Sequence, residues 1–414
     1  MNILVIGLGF VGLTAALGFA DKGFNVTGYD IDDRRAALIR SGRVPFVEPG
    51  LEPALGRTLG ISLKISDSVR QETEAADLIF FCVGTPNKGD GSVDLRYLFS
   101  AIDSVIDVAS PDCVFVIKST VPPGTTADAV TPYVREKGFT GAVAVNPEFL
   151  REGHCWNDFM APDRTVCGCG GKDARAISLL TKLYEPFNAP LHFVTPDTAE
   201  FIKYLSNSLL AALISFSNEM SLIAEAVCSA DIAKAFKVLH QDKRLVGAGI
   251  NHYIYPGCGY GGSCLPKDTI ALSAESKQLG FEPRILDGVI SLNNEMPLRT
   301  AEKIQRLAGS REAHIGVLGL SFKPNSDDVR DSPTAKIIEC LIDNGYSKIY
   351  AYDPFAAEAF RNMYGHAITY CKSKEEVCEA CDTIAVVTIW QEFQGIHLKY
   401  PQKNWCDCRY WLED

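Results

Sequence analysis

Gly7, Gly9 and Gly12 form a GxGxxG pattern between a short apolar run, Asn2–Ile6, and residues 11–20, whose apolar positions repeat with helical spacing. A strand, a glycine turn and a helix in that order restrict the fold more than anything else in the chain. The first glycine permits the tight turn, the second lets a pyrophosphate approach backbone, and the third lets the helix pack on the strand. The helix N-terminus then offers amide donors and the positive end of its dipole to phosphates. Phe10 and Val11, between the second and third glycines, join the expected cofactor contacts. A second strand, Asn25–Tyr29, closes on Asp30. That carboxylate can accept hydrogen bonds from both ribose hydroxyls and would repel a 2′-phosphate. NAD is therefore expected over NADP, with Arg35 close enough to soften the preference.

Further apolar strands are expected at residues 78–83, Val114–Ile117 and Ala142–Val145, with helical stretches between them. Such alternation indicates a parallel, doubly wound sheet. Residues 198–228 then read as one long, largely apolar helix, suited to a spine between domains or a subunit interface. A third region repeats the opening plan: VLGLSF with YAYD, ending at Asp353, answers VIGLGF with TGYD. It reads as a second Rossmann-like domain without the glycine triplet.

The chain of 414 residues is too long for one compact core. Its net charge of -11 argues against general binding to nucleic acid or anionic membranes. The uncharged run over residues 3–20 could pass for a signal or membrane span, but no basic segment precedes it and glycines interrupt it. The glycine-turn reading explains it better. With no secretory signal, the fourteen cysteines point to a reducing cytoplasm rather than a disulfide framework.

The chemistry concentrates in residues 259–268, GYGGSCLPKD. Pro266 suits the first turn of a helix and would place Cys264 at its N-terminal end. A thiol there, near Lys267, is favoured as a thiolate nucleophile. Asp268, one turn on, can take or return a proton through water. The alternative is a buried, inert cysteine. Lys203 and Asn207 stand at i and i+4 on the long helix and share a face. Together they can stabilise an oxyanion, unless that face is simply solvated. The loop NPEFLRE (residues 146–152), the loop KSTVPPGT (residues 118–125) and VGTP (residues 83–86) all follow strands. They lie at the carboxyl edge, where doubly wound sheets bind ligands.

These segments, with FKPNSDDVRDSP, resemble the UDP-glucose/GDP-mannose dehydrogenase family along essentially the whole chain and in the family's order. The resemblance implies an α/β fold of two Rossmann-like doubly wound domains joined by a long central helix and a helical middle domain. Their boundaries would be 1–195 for NAD, 196–300 for the helical, dimer-forming part and 301–414 for the nucleotide of the substrate. It implies oxidation of a sugar C6 alcohol to an aldehyde, then to a carboxylate, through a thiohemiacetal and thioester on Cys264. Lys203 and Asn207 would hold the C6 oxygen, Asp268 and Thr120 would manage water and protons, and Glu148 would help water release the acid. Thr85, Thr120, Glu152, Lys267 and Arg330 would lie near NAD. Glu148, Phe149, Leu150, Arg151, Tyr253, Gly261, Phe322 and Lys323 would meet the nucleotide sugar.

GYGGSC with FKPNSDD resembles the UDP-glucose branch of the family, and SCLPKD alone would also suit GDP-mannose. Arg244, nine residues before Tyr253 rather than the family's five, departs from the usual place of an arginine that crosses to a neighbouring subunit. No metal is expected. The pairs Cys167/Cys169, Cys378/Cys381 and Cys406/Cys408 read as ordinary thiols. A single-step 3-hydroxyacid dehydrogenase or a non-catalytic NAD sensor would share the first domain, without a need for Cys264.

Overall fold

The apolar runs of the first half become the strands of one sheet: β1 (Asn2–Ile6), β2 (Asn25–Tyr29), β3 (Leu63–Ile65), β4 (Leu78–Phe81), β5 (Val114–Ile117), β6 (Ala142–Val145), β7 (Thr165–Cys169) and β8 (Leu191–Val194). A computed structural model of the chain describes residues 1–170, 173–227, 230–243, 245 and 253–412. The chain divides into two compact units, Met1–Leu205 and Ser206–Asp414.

In the first unit the strands lie in the order β3-β2-β1-β4-β5-β6-β7-β8, parallel from β3 through β6. Every residue of β4, β5 and β6 is buried, as strands covered on both faces require. The order reverses between β1 and β4, which opens a crevice at the carboxyl ends.

Two strands depart from the all-parallel expectation: β7 pairs antiparallel with β6, and β8 runs parallel to β7. The intervening NPEFLREG loop is pinned by buried Glu48, whose carboxylate accepts the Gly153 N–H at 2.6 Å and the Cys155 N–H at 2.8 Å. The chain therefore starts its next strand from the edge where β6 ended, and that strand must run back.

Five strands form the sheet of the second unit: β9 (Ile315–Leu318), β10 (Ile349–Tyr352), β11 (Thr369–Tyr370), β12 (Thr383–Val386) and β13 (Asn404–Asp407). Their order is β11-β10-β9-β12-β13, all parallel. Gly319 turns out of β9 at φ +94°, as Gly7 turns out of β1 at φ +90°. Asp353 follows β10 as Asp30 follows β2. Its carboxylate is spent on the N–H groups of Leu320, Ser321, Phe355 and Ala356 and on the Trp390 indole. In the first unit the helix Phe10–Asp21 begins three residues after Gly7, whereas here residues 320–332 intervene before the helix Pro333–Asp343. The FKPNSDDVRDSP segment fills that longer connection.

A single 32-residue helix, Pro196–Val227, stands where residues 198–228 were expected to be helical. Tyr204, Asn207, Ala211, Ser215 and Asn218 are buried along one side, whereas Phe201, Leu205, Leu209, Phe216, Ile223 and Val227 are exposed. Among the described residues it is the one helix long and apolar enough to cross a membrane by length and composition.

Candidate active site

The glycine turn is built as its spacing demands. A Cβ on Gly7 would lie 2.8 Å from the Cys82 carbonyl oxygen, and one on Gly12 would run into the Gly7 carbonyl. A Cβ on Gly9 would meet nothing within 4 Å, so this side of the turn is open to a ligand. The helix Phe10–Asp21 starts at Gly9 with no side chain capping its N-terminus and no acid in its first turn. Its leading amides are available to phosphate oxygens. These observations fit a dinucleotide.

Asp30 is buried and does more than the ribose role requires. It accepts the Leu8 N–H at 2.6 Å and the Asp32 N–H at 2.9 Å, and pairs with Arg35 at 3.0 Å. The acid thus pins the turn itself, and Arg35 sits directly on it.

At the carboxyl edge of the same sheet, Thr85 donates its hydroxyl to the Thr120 carbonyl at 2.7 Å, joining the loops after β4 and β5. Lys203 and Glu148 meet at 2.7 Å, with side chains 4% and 6% exposed. The solvated-face reading of Lys203 is thereby excluded. The Leu150 N–H, at 2.6 Å, supports the other oxygen of Glu148. Burial alone would raise the Glu148 carboxyl, but the charge and hydrogen bond of Lys203 outweigh it and hold the group below its ordinary value. Phe149 lies beneath Lys203 and under the Arg164 guanidinium, which is 4.2 Å from its ring centre. Arg151 pairs with Asp158 through its side chain and backbone N–H, and Glu152 is half-buried beside it.

Buried Lys118, which opens KSTVPPGT, donates to Asn146 Oδ1 at 2.7 Å, and the Tyr184 hydroxyl donates to the same oxygen at 2.5 Å. Burial pushes this ammonium below its usual value. Glu48, Lys118 and Tyr184 all shape the NPEFLRE loop, and sequence reasoning gave none of them a role there. Their partners lie far away in sequence, so no local pattern marked them.

In the second unit Cys264 stands at the N-cap of the helix Leu265–Gln278, with Pro266 in the first turn. It alone is exposed among the described cysteines. Burial pushes Cys82, Cys113, Cys378 and Cys381 up to about 12. Asp268 is buried and accepts Asn207 Nδ2 at 2.6 Å on one oxygen and Lys267 Nζ at 2.7 Å on the other. Lys267, expected near the cofactor, thus gives a hydrogen bond to the acid one turn from the thiol. Gly262 donates its N–H to the Arg330 carbonyl at 2.9 Å, and a Cβ on Gly262 would strike the Phe322 ring. On Gly261 it would strike the Asp331 carbonyl. The GYGG turn and the FKPNSDDVRD loop are therefore packed backbone to backbone. Lys323 lies 5.2 Å from the Phe322 ring centre, and Arg330 is paired with Asp328. Tyr253 is half-buried, and Arg244 falls outside the described residues. Among the described residues, no group of three or more His, Cys, Asp or Glu side chains could hold a metal. Cys378 lies in the helix Lys374–Ala380 and Cys381 caps it, ahead of β12.

A glycine turn on a sheet with this strand order, an acid closing its second strand and an exposed helix-cap thiol define an NAD-dependent oxidoreductase. Family models carry the assignment further: the NAD binding domain of the UDP-glucose/GDP-mannose dehydrogenase family matches residues 1–188, its central domain residues 197–295 and its UDP binding domain residues 316–413. A UDP-glucose 6-dehydrogenase of Rickettsia bellii is 38% identical over 403 residues, covering 96% of this chain and 91% of that protein. One of Bacillus subtilis is 37% identical, with 96% and 90% covered. The solved UDP-glucose dehydrogenase of Pyrobaculum islandicum is 40% identical with a TM-score of 0.93, and the match covers 99% of this chain and 94% of that one. The chain belongs to the UDP-glucose/GDP-mannose dehydrogenase family.

Proposed function

We propose that the chain oxidises C6 of UDP-glucose twice, from alcohol to carboxylate, giving UDP-glucuronate. The observation that carries this reading is the exposed thiol of Cys264 at a helix N-cap, in a chain whose other described cysteines are buried or half-buried. A one-step alcohol oxidation has no use for such a group. The names of the similar proteins support the choice of UDP-glucose.

When bound, NAD supplies the hydride acceptor for each oxidation, held by the residues 7–12 turn, Asp30, Thr85 and Thr120, with Glu152, Lys267 and Arg330 nearby. Lys203 and Asn207 hold the C6 oxygen. Asp268, hydrogen-bonded to Asn207 and to the Lys267 ammonium, takes the proton through water together with the Thr120 hydroxyl. Cys264 adds to the aldehyde, and Glu148 helps water release the acid. Tyr253, Gly261, Phe322 and Lys323 hold the nucleotide sugar, with Lys323 toward its phosphates; Phe149, Leu150 and Arg151 line the sugar side. Initial rates with UDP-glucose, GDP-mannose and UDP-N-acetyl sugars in parallel test the substrate. A clear preference for UDP-glucose supports the proposal, and a preference for either of the others removes it.

Asp30→Ala should weaken both dinucleotides, since Leu8 loses its acceptor, but NAD by roughly tenfold more than NADP, the scale of a charge-assisted hydrogen bond. An unchanged ratio of NAD to NADP efficiency would show that Asp30 does not select the ribose.

The exposed apolar positions of Pro196–Val227 recur at spacings of four and seven residues, a continuous stripe along one face. A second copy of the chain is the proposed occupant, since the opposite face buries Glu200, Lys203 and Asn207 and is ill-suited to lipid. Phe216→Glu should convert a dimer to monomer in sedimentation experiments. A dimer that survives the change would place the interface elsewhere. None of the described cysteines forms a disulfide, and this supports a reducing, cytoplasmic setting.

A further inference from the structure

Glu200 has no part in the reaction as proposed, yet it is only 2% exposed and sits one turn before Lys203 on the same helix face. Its carboxylate accepts the Gly124 N–H on one oxygen at 2.7 Å and the Thr126 N–H on the other at 2.9 Å. Those amides open the helical turn Thr125–Val130, which the chain enters through Gly124 at φ +92°. Four residues back along the same strap is Thr120, whose carbonyl is held by Thr85. Ser119 beside it donates to the Val83 carbonyl at 2.6 Å. Thr120, Glu200 and Lys203 line one small cavity of about 10 Å³.

A buried carboxyl is a costly way to fill space, because an apolar side chain of similar volume would avoid its desolvation. Burial pushes Glu200 up to about 7, against the pull of the Thr126 and Gly124 donors. What the acid supplies, and an apolar group cannot, is a pair of acceptors that fix the strap in both translation and rotation.

We propose that Glu200 is a positioning residue: it ties the strap carrying Thr120 to the helix carrying Lys203, and so sets the spacing of the hydroxyl and ammonium that act at C6. The inference rests on the reaction proposed above. Glutamine has nearly the same volume but offers one acceptor; its amide donor would face the second N–H. A space-filling role would therefore leave Glu200→Gln silent, and a positioning role would not.

The test compares wild type, Glu200→Gln and Gly124→Ala, the last straining the strap from its own side at a left-handed φ. The expected result for both variants is a fall in kcat of roughly ten- to a hundredfold, the scale of an ångström-level misplacement, and larger than any loss of NADH affinity by fluorescence titration. Hydrogen exchange at the Gly124 and Thr126 amides should quicken in Glu200→Gln. An unaltered kcat in Glu200→Gln, or a loss that merely tracks NADH affinity, would overturn the proposal. If wild type oxidised no nucleotide sugar, the reaction itself would fall. The tether would then be judged by exchange alone: faster exchange at those amides supports it, and unchanged exchange refutes it.

Discussion

Cys264→Ser is expected to stall after at most one NADH per active site, with the aldehyde or its adduct retained on the protein. The first hydride can leave the alcohol without a thiol, because Asp268 and water take the proton. The second cannot leave a planar aldehyde; it needs a tetrahedral carbon, which Cys264 makes by adding to the carbonyl. Serine keeps the size and hydrogen bonding of the side chain at this exposed N-cap but stays protonated near neutral pH. An aldehyde-trapping reagent or intact-mass analysis would detect the stalled species. Near wild-type turnover to the carboxylate in Cys264→Ser would remove the covalent mechanism.

Loss of Lys203 should have the next largest effect. Lys203→Ala is expected to lower kcat by roughly 10²–10³-fold, the order lost with an oxyanion donor, with substrate binding less affected. A loss confined to KM would make Lys203 a binding residue instead. A second readout follows from its buried pairing with Glu148 at 2.7 Å. In wild type Lys203 depresses the Glu148 pKa, so this carboxylate contributes stability above its unfolded pKa, and that is lost as pH falls through the folded value. In Lys203→Met, which keeps the apolar stem, burial acts unopposed by the ammonium and the folded pKa rises. The variant should then lose stability as pH rises through the carboxylate range, the reverse of the wild-type contribution, and by about 3–5 kcal/mol once Glu148 is ionised. Thermal unfolding between acidic and neutral pH measures this, and parallel curves for the two proteins would contradict it.

What the sequence made legible was set locally. The residues 7–12 turn follows from glycines that alone tolerate its backbone angles and close contacts, and the Cys264 cap follows from a proline two residues on. The second sheet was visible because its opening strand and closing acid repeat the first. What escaped depends on distant partners. The reversal of β7 turns on Glu48 holding a loop more than a hundred residues away. Lys203 and Glu148 were each singled out, but their pairing, 55 positions apart, was not. Asp30 was expected to serve the ribose, and its bond to Leu8 adds a structural duty that no spacing reveals. The purpose of Glu200 shows only in the amides it holds, more than seventy positions away.

A double oxidation at one carbon is the centre of the proposed reaction. Counting NADH formed against UDP-glucose consumed, at completion and with the sugar limiting, measures that directly. Two NADH for each UDP-glucose, with UDP-glucuronate as the product, is the predicted result. One NADH for each UDP-glucose, with the aldehyde released, would contradict it.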